Sequence, residues 1–296
     1  MLLISSLLTL KNTFFPISFN IQKNKHQLFS DSSHEKIVFC YDVVNNSEKV
    51  AILLHGWFGS YNSPIINRYA LWLKKQGISV VKINLKDHGD TCKLNKSLFS
   101  FAEVSYVEEI VEHIIKISGK KIIIIGLSLG ANFILRMHNL TNLSSHIVCL
   151  ILITPVFDIK KALQKVDKTL IYKFILMNNI KRMLKKKQRA YPGCYDFNQI
   201  LYNNSTNIGF INSLMPYYGF DTQDEYLKQC SINQKNIDNL NIRTLLIITK
   251  DDPIISNDNI NYLIPNIVSN HFVSLVTKKY GGHCLFYDKI LNFILE

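Results

Sequence analysis

The chain has 296 residues, 47% hydrophobic and 11% aromatic, with 34 Lys+Arg against 22 Asp+Glu for a net charge of +12. This length fits one large domain or a domain carrying an insertion, and the apolar content excludes a globally disordered chain. Its longest apolar runs, such as residues 147–157, fall short of the roughly 18–20 residues that a membrane-spanning helix needs, which argues against an integral membrane protein.

The apolar start, Met1 to Leu10, has no basic residues ahead of it and no small-x-small cleavage site, so it reads as a packing segment rather than a signal peptide. Beyond it, apolar runs bounded by turn residues recur at 49–54, 78–85, 121–127, 147–154, 242–249 and 272–276. They are rich in Ile and Val and apolar at consecutive positions, as expected of strands buried on both faces. Helical patterns fall between them at 67–76, 103–118 and 129–139, with a last one near 287–295. Strand and helix in alternation predict an α/β fold, a mostly parallel sheet with helices on both faces.

The alternation stops after Thr154-Pro155 and resumes at Ile242. The stretch between reads as helices and loops, and an insertion at the carboxyl ends of parallel strands lies over the crevice where such sheets bind ligands. The expected organisation is therefore an amino-terminal segment (1–36), a core (37–156 and 241–296) and a helical cap (157–240). Between Lys160 and Arg189 stand eleven basic residues and one acid, Asp167, so this segment carries +10 of the net +12. The rest of the chain is nearly neutral, which is not the basic coat of a nucleic-acid-binding protein. Leu170, Phe174, Met177 and Leu184 recur at helical spacing there, beside Ile171, Ile175 and Ile180, and Lys173, Lys181, Arg182 and Lys185 flank them. Such a helix either packs its apolar face on the core and solvates its lysines, or makes peripheral contact with an anionic membrane.

Gly126-Leu127-Ser128-Leu129-Gly130 follows the 121–127 strand and opens a helix. In that context GxSxG forms a nucleophile elbow, a sharp turn that lifts the serine hydroxyl above the sheet. It also leaves the Leu129 N–H at a helix start, aimed where an oxyanion forms. Serine needs a base, and the base a partner to orient it; in an elbow fold their chain order is Ser, acid, His. Asp251-Asp252-Pro253 follows the 242–249 strand and Gly281-Gly282-His283 follows the 272–276 strand. His283 reads as the general base. Asp252, just ahead of Pro-Ile-Ile, reads as the acid, with adjacent Asp251 the alternative and otherwise a turn-stabilising residue. His55-Gly56-Trp57-Phe58-Gly59-Ser60 follows the 49–54 strand, and its Trp57 N–H is the second expected oxyanion donor. His55 precedes the nucleophile and reads as structural.

Asp87-His88-Gly89-Asp90 lacks the spacing of a metal site, and the six scattered cysteines include no CxxC pair, which fits a reducing, cytoplasmic setting. No metal or cofactor is expected.

The order HGWFGS, GLSLG, DDP and GGH resembles the α/β-hydrolase superfamily. Asn84-Leu-Lys-Asp-His-Gly-Asp-Thr, followed by Leu94-Asn95, is similar to the branch of YheT-like hydrolases and abhydrolase-domain phospholipases. The likeness spans most of 49–296 and includes Asn132, Cys284 and Phe286; Ala131 stands where relatives often carry a second glycine. It implies a Ser128, Asp252, His283 triad without a metal. The expected activity is hydrolysis of a small-molecule or lipid-like carboxylic ester. Acyl transfer on the same triad, or a binding protein of the same fold, are the alternatives.

Overall fold

The computed structural model describes residue 9 and residues 26–138, 140–284 and 290–295. Its centre is a sheet of eight strands: β1 (His26–Ser30), β2 (Lys36–Asp42), β3 (Lys49–Leu54), β4 (Ser79–Ile83), β5 (Lys121–Leu127), β6 (Ile147–Ile153), β7 (Thr244–Thr249) and β8 (Val273–Lys278). Their spatial order is β1-β2-β4-β3-β5-β6-β7-β8. The β1–β2 and β2–β4 pairs are antiparallel and every other pair is parallel.

The consecutive apolar residues of the central strands divide between the two faces. Ile122 and Ile124 of β5 pack with Val50, Ile52 and Leu54 in one core, while Ile123 and Ile125 pack with Ala51 and Leu53 in the other. Both faces are covered, so apolar residues dominate both and no alternation survives in these runs. The covering helices begin with α1 (Pro64–Lys75), α2 (Ser105–Ser118), α3 (Leu129–Leu135) and α4 (Leu140–Leu143). Proline at the first turn starts α1, and Gly119 in the left-handed conformation ends α2.

Between β6 and β7 the chain runs through α5 (Ile159–Lys168), α6 (Leu170–Ala190), α7 (Asn198–Asn203), α8 (Asn207–Ser213), α9 (Met215–Tyr218), α10 (Gln223–Cys230) and α11 (Gln234–Asp238). The Asp158 side chain opens α5 by accepting from the Lys161 N–H at 2.9 Å. After β7 come α12 (Ile264–Ser269) and, past β8, α13 (Ile290–Leu295). Among the described residues no helix is long and apolar enough to cross a membrane.

Three local expectations are corrected. Among the described residues the sheet starts at His26, ahead of residue 37, because β1 and β2 join it in antiparallel pairing. β1 lies at the edge with most of its side chains exposed, so it leaves almost no apolar pattern to read. The elbow helix ends at Leu135, four residues early, and Asn139 lies outside the described residues. On α6 the buried stripe is Tyr172, Leu176, Met177, Ile180, Met183, Leu184 and Lys187. Leu170, Ile171 and Phe174 face outward instead, because Lys187 is drawn inside to a buried carboxylate and sets the rotation of the helix. The expectation for Met1 to Leu10 lies outside the described residues except at Thr9.

Candidate active site

Ser128 stands between β5 and α3 with φ at 53°, a conformation that side chains avoid unless the surroundings impose it. The imposition comes from close packing on either side. A Cβ on Gly126 would lie 2.7 Å from the Ala131 backbone, and one on Gly130 would lie 2.7 Å from the carbonyls of Leu54 and His55. A side chain at 126 would force α3 away from the end of β5, and one at 130 would push the elbow away from β3.

The turn delivers the Ser128 Oγ to His283 Nε2 at 2.8 Å. The other ring nitrogen, Nδ1, faces Asp252 Oδ2 at 2.7 Å. A carboxylate oxygen can only accept, so in the neutral ring Nδ1 carries the proton and Nε2 is left free to take one from the serine. All three residues are buried. Desolvation opposes protonation of His283 most strongly of any one cause, but the facing Asp252 carboxylate and Cys284 together outweigh it and the imidazole's pKa is raised above its ordinary 6.5.

Each partner is held by further contacts. Asp252 Oδ1 accepts from the N–H groups of Ile254 and Ile255 at 2.8 and 2.9 Å. Asp251, the alternative acid, faces elsewhere: its carboxylate accepts from Gly281 and Gly282 N–H at 3.2 and 2.9 Å and so ties the histidine loop to the loop after β7. Thr249 Oγ1 donates to the Gly282 carbonyl, and the His283 N–H donates to Thr9 Oγ1. The sequence patterns did not single out this holding role for Asp251. Its place at a loop start reads as turn-stabilising, whereas its carboxylate bonds a second loop 30 residues on.

The two expected oxyanion donors lie on either side of Ser128. Leu129 is the first residue of α3, where a helix N–H has no partner of its own. The 56–57 backbone passes against the nucleophile, with an added Gly56 Cβ only 3.1 Å from Ser128 Cβ. Neither the Trp57 nor the Leu129 N–H is engaged with another described residue. His55 is buried and makes no hydrogen bond to the triad among the described residues. Its Nδ1–H donates to the Gly56 carbonyl and its Nε2 accepts from the Leu85 N–H, joining the loops after β3 and β4. The loop after β4 is likewise committed to packing. Asp87 accepts from Lys187 Nζ and from the Phe99 N–H, and His88 Nδ1 faces the Lys86 carbonyl.

Above Ser128 and His283 lies an apolar cavity. Ile159, Leu163, Val166 and Leu176 come down from α5 and α6, facing Trp57 and Phe101 from the core side. Among the described residues no carboxylate lines it. A buried serine–imidazole–carboxylate chain beneath a water-poor apolar space can generate an alkoxide-like nucleophile and hold an apolar acyl group against it.

Residues 45–290 match the family model Hydrolase_4, described as serine aminopeptidase, S33. Comparison with curated proteins finds no match. Among solved structures, the Pyrococcus furiosus esterase Pf2001 superposes with a TM-score of 0.60 at 17% identity, covering 95% of this chain and 91% of that one. The mouse α/β hydrolase domain-containing protein 10 gives 0.55 at 14% identity, over 92% and 96% of the two chains. The ferulic acid complex of Est1E from Butyrivibrio proteoclasticus gives 0.57 at 16% identity, over 91% and 98%. At these identities the likeness is one of fold.

Proposed function

The chain belongs to the Hydrolase_4 family of α/β-hydrolases (serine aminopeptidase, S33), and on that premise we propose that it is a serine carboxylesterase cleaving esters of apolar acyl chains. The observation that carries this reading is the apolar cavity in which the Ser128 hydroxyl and the His283 imidazole meet. The acyl chain lies against Leu163, Val166 and Leu176, and the ester carbonyl faces the Trp57 and Leu129 N–H groups.

Ser128 Oγ attacks the carbonyl carbon while His283 Nε2 takes its proton, and the carbonyl oxygen becomes an oxyanion held by the two N–H donors. Asp252 stabilises the imidazolium through Nδ1 without taking the proton itself. Collapse breaks the bond to the alcohol oxygen, which leaves with the proton from Nε2, and the acyl group stays on Ser128. Water then repeats the sequence, returning its proton through His283 and releasing the carboxylic acid.

An aminopeptidase must hold a substrate ammonium, and the lining offers no carboxylate for that purpose among the described residues. The esterases among the structural neighbours favour the same reading. Within the superfamily we place the chain in the YheT-like branch, on the 84–91 segment in which Asn84 joins the Tyr61 N–H to the His88 carbonyl.

The test is hydrolysis of p-nitrophenyl esters of increasing acyl length by the wild type and Ser128→Ala. The expected result is turnover that rises with acyl length to an optimum and is lost with Ser128. Equal turnover by both proteins would overturn the reading. Adding a primary alcohol then measures how the acyl-enzyme divides between hydrolysis and transfer.

A further inference from the structure

Leu170, Ile171 and Phe174 are 70%, 56% and 59% exposed, side by side on the first two turns of α6. Packing does not explain them, because the same turns bury Tyr172, Leu176 and Met177 on the opposite side. The outer face continues through Arg182, Lys185 and Arg189, all exposed and all at helical spacing from Ile171 and Phe174. Residues 170–190 hold seven basic side chains and no acid. Lys187 is taken by Asp87 and Lys186 reaches Asp90, but no carboxylate among the described residues pairs with Lys168, Lys173, Arg182, Lys185 or Arg189.

We propose that this face of α6 docks on an anionic phospholipid surface. Water disfavours the three apolar side chains, and the unpaired cations disfavour a second copy of the same face, since like charges would meet. A nucleic acid would satisfy the cations and leave the apolar end in water. A bilayer interface offers acyl chains to Leu170, Ile171 and Phe174, and phosphate headgroups to the lysines and arginines beside them. A helix of 21 residues lying flat spans about 30 Å, long enough to present both groups together.

Docking has a consequence for the site below. Leu176, on α6, and Val166, at the end of the preceding α5, line the cavity and lie close along the chain to the exposed patch. The lipid surface is thereby brought against the helices that receive the acyl chain. This purpose rests on the esterase reading; the docking itself does not.

The experiment is vesicle flotation with Ser128→Ala protein, which binds without consuming lipid, using phosphatidylcholine vesicles with and without phosphatidylglycerol. The expected result is binding to the anionic vesicles only, weakened by salt. Ile171→Ser/Phe174→Ser and Arg182→Glu/Lys185→Glu should each weaken it by at least about tenfold, while the same substitutions in the active chain leave hydrolysis of a soluble short-chain ester unchanged. Binding to neutral and anionic vesicles alike, no binding to either, or a dimer in sedimentation that these substitutions dissociate would each overturn the proposal. Flotation without ester turnover by the wild type would uphold docking and overturn the esterase reading.

Discussion

Lys165, on α5, donates through Nζ to the main-chain carbonyl of Asp252 at 2.6 Å and to that of Ile255 at 2.9 Å. The helix that lines the apolar cavity with Leu163 and Val166 therefore also grips the loop that aims the acid at His283. Burial lowers the pKa of this ammonium, and the nearby Asp252 carboxylate acts in the opposite direction.

Replacing Lys165 with Met is expected to lower kcat by about ten- to hundredfold through a displaced Asp252, with little change in KM for short esters. A displaced Asp252 carboxylate holds the His283 proton less tightly, and the acidic limb of the pH–rate profile moves to lower pH. Lys165→Arg should restore most of kcat. An unchanged kcat and profile in Lys165→Met would show that the grip is mere packing.

The His283 shift makes a separate statement about pH. The base must be neutral to accept the serine proton, and its pKa lies above 6.5, so kcat/KM should still be rising with pH when an ordinary imidazole would have levelled off. Asp252→Asn removes the carboxylate that holds the proton. It should bring the acidic limb down while lowering kcat by roughly 10⁴-fold. For stability the sign is opposite: folding favours the protonated ring, a contribution fully present below pH 6.5 and lost as pH rises through the folded pKa of about 10. A wild-type limb at or below 6.5 would contradict the charge pairing.

His55 and His88 act in the other direction. Desolvation pushes His55 down to about 4 and His88 to about 3, so both stay neutral in the fold while the unfolded chain protonates near 6.5. Their stabilising contribution is complete above 6.5 and is lost as pH falls toward 3–4. The urea midpoint should drop over that window, and His88→Gln should flatten the drop by about one proton's worth of slope. A midpoint independent of pH there would contradict burial of neutral rings.

The chemistry was legible where sequence neighbours stay neighbours in space. Ser128 and Leu129 are fixed by one turn, and Asp252 and His283 each follow directly on a strand whose apolar run is plain. The parallel strands read clearly because burial on both faces leaves long apolar runs at their centres, with few polar residues such as Lys82 among them. The choice between Asp251 and Asp252 was not local. It depends on which carboxylate the backbone turns toward His283 and which toward Gly281 and Gly282, and adjacent residues point apart by reasons the sequence does not carry. Lys165 and Lys187 sat unread among eleven basic residues, since only the fold distinguishes a cation gripping a carbonyl from one in water. Leu170, Ile171 and Phe174 were grouped with the apolar stripe because periodicity gives a face and not what it faces.

Lys187 and Asp87 meet at 2.7 Å with both side chains fully inaccessible, joining α6 to the loop after β4. Burial raises the Asp87 pKa and the Lys187 ammonium counters that rise. The Phe99 N–H and the Asn95 carbonyl complete the pair's hydrogen bonds. Removing one member leaves the other charge buried without a counterion, so Lys187→Met should destabilise the fold by about 3–5 kcal/mol in urea unfolding. Lys187→Met/Asp87→Asn removes both charges and should cost clearly less than the two single substitutions added together. With the rotation of α6 released, Leu176 also shifts in the cavity, and the preference for long over short acyl esters should narrow in the double variant. Additive single losses with an unchanged acyl preference would mean that the pair neither acts as a unit nor sets the position of the helix.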